Sequence, residues 1–410
     1  MSFLIKAADL AKLCKEKGQR WTLHHLQESY DKGEIAPEDF SIRDLCRNMI
    51  DGGNELVDNM ERNRRKGGHM LTESADAVDT SAMANITGQI FFNAIKDSMV
   101  QEEFIGDDLV STFPSNIQGD EIVPGISDAR DEFETNVDEG KPYPLVGLSE
   151  ETVSIPAAEK KGGIIGLTRE TIIADRTGVL IQRARSIGNG LGVRREKSII
   201  DVVIGAVNPY AYKGETRLTY GDGATAGEAM GFINEATAAL VNYTDVQAVA
   251  EVFYAILDPN TNEPLGWSPD TVICTKNLSW TASAVFNDVQ VRLGDVTAAP
   301  GIQSIGTNRI PSDFSVNIKS NEWVTQRLLA NTGVGGITAA NRAAANAYWF
   351  MGKPKQAFIW KEIWPLTVEE APNNTEPQFT ADIWQRFKAS YKGVAGVLEP
   401  RLMVRSDGTA

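Results

Sequence analysis

The sequence predicts an α+β fold organised in two to three packed units, and three observations carry that prediction. A helical pattern runs from Asp175 to about Val207, a stretch from Ala224 to Phe286 alternates helical and extended signals, and the C-terminal part is rich in aromatic strand-type runs. With 410 residues and 42% hydrophobic content, the chain can bury more than one core.

Residues 1–66 read as polar, mostly helical arm material, with Ile42, Leu45, Met49, Leu56 and Met60 at loosely helical spacing. The run Arg62-Asn63-Arg64-Arg65-Lys66-Gly67-Gly68 reads as a helix stop, and the small, acidic stretch after it as a tether to about Asn85. From Asn85 to Val100 the residues Ile86, Ile90, Phe91, Ile95 and Met99 predict a helix, followed by an acidic loop to about Gly140. Between Tyr143 and Ile173 the pattern predicts a long hairpin. Thr152 to Ile155 form one arm, Ile164 to Thr168 the other, and Ala157 to Gly163 the turn. An isolated ribbon this polar is marginal in water, so it is expected to lie on another copy of the chain.

Asp175 is the expected N-cap of the long helix, with Leu180, Ala184, Ile187 and Leu191 on one stripe. Gly188, Gly190 and Gly192 interrupt it. Each glycine costs about 1 kcal/mol against alanine in a helix interior, so that turn should bend or press on a close neighbour. Further on, a helix is expected from Ala224 to Asn242, a mixed piece over Val246 to Leu257, a turn over Asp258 to Pro264, a strand over Thr271 to Cys274 and a helix over Asn277 to Phe286. Ala357 to Glu362 and Ile383 to Tyr391 read as strands, and five of the eight tryptophans (Trp323, Trp349, Trp360, Trp364, Trp384) fall in this part as core material.

Charge is unevenly placed. The net charge is -15, and residues 71–151 alone hold 18 acidic against 3 basic side chains, which is the whole imbalance. Such a surface disfavours direct grip on nucleic acid, which needs lysine and arginine to displace counterions. No run approaches the roughly 18 apolar residues of a membrane span, and no export signal is visible, so a soluble chain made in the cytoplasm is the expectation. Cys14, Cys46 and Cys274 are widely spaced, as free thiols in a reducing compartment would be.

From Tyr143 onward, about 270 residues resemble the major head (capsid) proteins of tailed bacteriophages, the Hong Kong 97 fold, and within it the Mu-like head subunit group. The carrying residues are Tyr143-Pro144, Lys160-Lys161-Gly162-Gly163, the run Thr168 to Leu180, Trp364-Pro365-Leu366 and Gly396 to Leu402. The resemblance implies a helix and connection over 86–127, an extended loop over 128–170, a spine helix over 171–207, an axial domain over 208–344 and peripheral-domain strands over 345–410. Residues 1–85 match nothing beyond a general N-terminal arm. It further implies a structural protein and not an enzyme, without cofactors. Copies would assemble in the bacterial host cytoplasm into pentamers and hexamers of an icosahedral virion head around double-stranded DNA. Portal, scaffold and decoration proteins are the implied partners, and no membrane. The alternatives are an encapsulin-like compartment shell and, more remotely, a carboxylate-dependent hydrolase.

Motifs for other chemistry fail on inspection. His24, His25 and His69 all lie in the arm, which leaves no histidine for a triad or zinc site in the main body. Gly188-Asn189-Gly190-Leu191-Gly192 sits inside a helix with Val193 where a nucleotide loop needs glycine. Asp258, Asn260 and Asn262 start like a calcium loop, but Glu263 and Pro269 occupy its glycine and glutamate positions. What remains is charge pairing between copies. Arg183, Arg185, Arg194 and Arg195, with Arg176 and Lys197, make the long helix a basic rod with one acid, Glu196, while Asp107, Asp108, Asp131 and Glu132 lie in the acidic stretch. Acids of one copy are expected to meet the rod of the next, setting register more than affinity. Arg194→Glu with Arg195→Glu is expected to block assembly and leave a folded monomer. Lys160 and Lys161 at the hairpin turn are further contact candidates, and obvious donors for a lysine–asparagine isopeptide bond between copies, with no acceptor assignable.

Overall fold

The computed structural model describes residues 7–37, 40–49, 77–101, 103–124, 137, 139–140, 152–168, 177–212, 214–221, 232–257, 264, 266–287, 290–293, 304–307, 316–330, 346–371 and 383–408. Its helices are α1 (Ala7–Lys17), α2 (Gln19–Asp31), α3 (Ile42–Met49), α4 (Ala77–Met99), α5 (Gly106–Leu109), α6 (Thr177–Val203), α7 (Tyr243–Tyr254), α8 (Ser279–Asn287), α9 (Glu322–Ala330) and α10 (Pro354–Ala357). The strands are β1 (Ser111–Pro114), β2 (Glu121–Pro124), β3 (Thr152–Ile155), β4 (Glu159–Thr168), β5 (Ala211–Tyr212), β6 (Glu215–Thr216), β7 (Glu235–Ala236), β8 (Thr271–Thr275), β9 (Gln290–Leu293), β10 (Ser304–Thr307), β11 (Asn317–Asn321), β12 (Trp349–Gly352), β13 (Phe358–Glu370), β14 (Ile383–Val397) and β15 (Met403–Ser406). The mixture of helix and sheet is the α+β class expected.

Two compact units divide the chain. One comprises Met1–Glu102, Lys160–Arg194 and Trp364–Lys392; the other comprises Glu103–Glu159, Arg195–Ile363 and Gly393–Ala410.

In the first unit the N-terminal helices have a core of their own. Ile42, Leu45, Cys46 and Met49 fall on one stripe of α3 and are buried, and the Ser41 hydroxyl caps that helix by accepting from the Asp44 N–H at 3.2 Å. Leu10, Leu26, Ile86, Phe91 and Ile95 are buried with them, and Phe91 meets Phe387 of β14 edge-on at 5.0 Å. Each such side chain contributes about 1.5–3 kcal/mol on burial. α1, α2 and α3 are therefore packed helices. Gly188 answers the glycine question: α6 runs through it unbroken, and a Cβ there would collide with the Ile95 carbonyl and the Ser98 hydroxyl of α4. The glycine is a close crossing, which its lack of a side chain permits.

The second unit is organised by a five-stranded sheet of order β11-β8-β12-β15-β7, with β8 and β12 antiparallel in the register Cys274 to Trp349. All five residues of β8 and all four of β12 are buried, the mark of strands covered on both faces. Val246, Val249 and Phe253 of α7, Ala282 and Phe286 of α8, and Trp349 fill one cluster, in which the Trp349 indole N–H donates to the Ala238 carbonyl at 2.9 Å. Asn242 and Asp245 close α7 with a reciprocal capping box.

Several expectations need correction. The hairpin does not pair with itself: β3 lies between β2 and β5, while β4 is at the end of the sheet order β1-β13-β14-β4. Val153 and Ile155 are buried in the second unit and Ile165 and Leu167 in the first, so each arm satisfies its apolar face separately, and Pro156 between them has no N–H to donate to a ladder. The acidic loop after Val100 contains α5, β1 and β2. The helix expected from Asn85 starts at Ala77, and that expected to reach Val207 ends at Val203, just before Gly205 at φ 73°. Over 232–242 the expected helix is absent, and the stretch is irregular apart from the two residues of β7. Asn234 spends its amide on the Thr219, Pro400 and Met403 carbonyls, and β7 runs parallel to β15. Residues 224–231, Asp175, Arg176, Asp258 to Glu263 and 50–76 lie outside the described residues.

Candidate functional site

Charged side chains inside the second unit form ties to partners in the same unit. Glu196 falls on the buried stripe of α6 with Ile199 and Ile200, four residues from the buried Gly192, and its carboxylate accepts from the Ile105 and Gly106 N–H groups at 2.9 Å each and from the Asn321 amide at 3.0 Å. Gly106 makes the space, since a Cβ there would sit 2.5 Å from a Glu196 oxygen. Burial pushes the Glu196 pKa above the ordinary carboxylate value; the two backbone donors oppose that rise and the Asp107 charge adds to it. Beside it, Arg195 pairs with Asp107 at 2.6 Å and lies 5.1 Å from the Trp360 ring, and Lys197 lies 4.3 Å from the Trp323 ring. Lys319 pairs with Asp108.

Lys361 is fully buried, donating to the Gly119 carbonyl at 2.8 Å and pairing with Glu121 at 3.1 Å. Hydrogen bonding from Ser115 holds the Glu121 carboxyl below its ordinary value, with Lys361 adding to the effect. Arg405 pairs with Glu235 at 2.6 Å beneath Tyr220 and Tyr348, and Arg401 with Glu399 at 2.7 Å. Burial so extensive raises the Tyr220 phenol far above its usual range.

In the first unit a group of charges lies around Trp364. Lys160 and Lys392 flank the half-buried Trp364, their ammonium nitrogens 5.7 Å and 5.3 Å from the ring centre. Lys388 pairs with the exposed Glu369 and holds that carboxyl below its ordinary value, with Lys160 contributing.

Of the sequence candidates, Lys160, Arg183 and Arg194 are exposed, while Lys161 on β4 and Arg185 are half-buried. Arg185 faces Asp97, whose carboxyl is raised by burial and only partly lowered by that arginine. Arg195 and Asp107, placed on opposite sides of a contact between copies by the charge pattern, meet within one chain, and Asp108 has Lys319. Asp131 and Glu132 lie outside the described residues. Glu196, Lys361 and Glu121 were missed as ties. A carboxylate on the buried stripe of α6 was the available signal for Glu196. Among the described residues no group of three or more His, Cys, Asp or Glu is placed to hold a metal ion, and no helix is long and apolar enough to cross a membrane.

The family model described as phage capsid protein matches residues 150–406. The chain belongs to the phage capsid protein family. Its members are structural shell proteins and not enzymes, so the role of this capsid chain is self-association in the capsid of a bacteriophage virion. No curated protein sequence matches the chain. Among solved structures, a phage-related protein from Bordetella bronchiseptica RB50 is 9% identical, with 77% of this chain and 96% of that chain covered and a TM-score of 0.41. The capsid of an empty GTA particle is 11% identical over 85% of this chain and 98% of that chain, TM-score 0.40. The capsid of cyanophage P-SCSP1u is 13% identical over 84% and 93%, TM-score 0.40.

Proposed function

We propose that this capsid protein is the major head subunit of a tailed bacteriophage, of the Hong Kong 97 type and closest to the Mu-like group. Its copies close into pentamers and hexamers of an icosahedral shell around double-stranded DNA, assembled in the host cytoplasm. The family match over residues 150–406 carries the reading. The loop over 128–170, spine helix, axial domain and peripheral strands are proposed with the boundaries given above, and residues 1–85 as a mostly helical N-terminal arm. Shell contacts of this class commonly bury more than about 2,000 Å², each individually modest because many close together. The charge of -15 supports an inner wall that does not adhere to packaged DNA, which reaches the shell only indirectly. Portal, scaffold and decoration proteins are the proposed further partners. Exposed Lys160, Arg183 and Arg194 are proposed contacts between copies.

Electron microscopy of the purified protein tests this. Closed shells with fivefold and sixfold clusters are expected without added nucleic acid. A chain that stays monomeric at every concentration and solvent condition would overturn the reading, and shells filled with protein cargo would transfer it to a compartment.

A further inference from the structure

Among the described residues Trp280 is the most exposed large apolar side chain, at 85%. It stands on the outer side of α8, whose inner side buries Ala282, Val285 and Phe286 in the cluster around Trp349. A tryptophan covers about 150–250 Å² when buried, so one left in water forgoes a large apolar gain. Its neighbours on that side, Asn277, Ser283 and Ala284, are short or polar and do not shield the ring. One turn earlier, Lys276 is exposed, and its ammonium has no ion pair among the described residues. No acid occurs from Lys276 to Asn287.

The counterpart is on α7. Val246, Val249, Ala250 and Phe253 face inward, while Glu251 is exposed with Ala248, Tyr254 and Ala255, its neighbours at helical spacing, around it. Gln247 donates to one oxygen of the Glu251 carboxylate at 2.9 Å, which leaves the other open. Tyr254 is 44% exposed. No lysine or arginine occurs from Leu218 to Thr275, so this stretch of chain does not neutralise the carboxylate. Both helices cover the same face of the five-stranded sheet, but α7 lies over β15 and β7 and α8 over β11 and β8. These are opposite ends of the strand order, three strand spacings or about 14 Å apart, so the two surfaces can serve two different neighbours.

We propose that Trp280 of one copy seats on Tyr254 and Ala255 of the next, with Lys276 reaching Glu251. The spans agree, since Lys276 precedes Trp280 by about one helical turn, as Glu251 precedes Ala255. The contact is head-to-tail, using different surfaces of two identical chains, and such contacts close into rings where the rotation permits. The aromatic anchor supplies affinity and the lysine–glutamate pair sets register. The partner is a second copy, because the α7 surface complements the α8 surface in both charge and apolar character and belongs to the same chain. The proposal rests on the shell reading given above.

Substitution at these exposed positions tests it. Trp280→Ala should raise the concentration needed for assembly by about tenfold or more, with folding unchanged by circular dichroism. Lys276→Glu and Glu251→Lys should each raise it by about threefold, and the chain carrying both should return to the wild-type value, a rescue that structural damage would not give. Light scattering and microscopy read assembly. Normal assembly of Trp280→Ala would overturn the contact, as would a folded double-charge variant no better than the single ones. Should Glu251→Lys fail to fold, acrylamide quenching decides. The Trp280 fluorescence, taken as the difference between wild type and Trp280→Phe, should be quenched in unassembled chains and shielded in shells; equal quenching in both overturns the contact. Wild-type chains that form no shell would sink the shell reading and this contact with it, whereas normal shells from the variants sink the contact alone.

Discussion

The two units use charge in opposite ways. In the second, Glu196, Lys361, Glu399, Arg401 and Arg405 are buried and each is met by hydrogen-bond partners of the same unit. In the first, Lys160, Arg183, Arg194 and Glu369 stand at the surface. A buried charge deprived of its partner is costly, so the second unit depends on its ties for its own fold. An exposed charge contributes little to folding and keeps its hydration until another surface replaces it. A shell subunit needs both: one set of charges that orders the chain and another left for neighbours.

Substitution separates the two sets, and the largest effect is expected at Lys361. Glu121→Ala leaves that buried ammonium with only the Gly119 carbonyl and should cost about 3–5 kcal/mol, read as a lower urea midpoint of the second unit. Glu121→Leu with Lys361→Met should restore most of it, since an apolar pair of similar volume replaces an ion pair at little cost. If the single and double variants are equally unstable, the tie is not what orders residues 115–124.

Glu196 comes next. Glu196→Ala strands three donors and should cost about 2–3 kcal/mol. Its pH dependence has a definite sign. The folded pKa is raised above the ordinary 4.5, so the ionised form is the one the fold disfavours. Stability relative to Glu196→Gln should therefore rise as the pH falls from above the raised value towards 4.5, and stop changing below it. Glu121 and Glu369, both lowered, act oppositely and lose their contribution only as the pH falls below their ordinary 4.5. A difference between wild type and Glu196→Gln that does not vary with pH would remove the buried carboxylate from the account.

The smallest folding effect, with a large effect on assembly, is expected at the rod. Arg194→Glu should leave the unfolding midpoint unchanged and impair shell formation. Arg195→Glu should also destabilise the second unit by about 1 kcal/mol, because it sets a negative charge beside Asp107. Changing both arginines together, as the charge pattern alone recommends, would confound the two effects.

Much of this division was legible in the chain. Alternating and helical apolar spacing marked β8, α6 and α8 to within a few residues and the starts of β13 and β14, whose C-terminal halves it missed, because local periodicity reports which face is buried. The pairing of β3 and β4 was not legible. Two polar strands separated by a short turn carry a hairpin's local signature, and only the distant partners β2, β5 and β14 decide against it. Asn234 is similar: its neighbours read as helix, and carbonyls from Thr219 to Met403 hold it extended. At the charged clusters the residue types were recognised, but Arg195 and Asp107 could not be matched as partners, since charge composition carries no distances.

Composition and order alone determined that the chain has an α+β build, an acidic block, a basic helix and the run of signals shared with phage capsid proteins. These are properties of neighbours along the backbone, and spacing expresses them directly. Which strands join, which of the rod's arginines stay outward and which acids are consumed internally was decided by tertiary structure. Those outcomes depend on contacts between residues up to hundreds of positions apart, where burial and hydrogen bonding, and not local preference, select the partner.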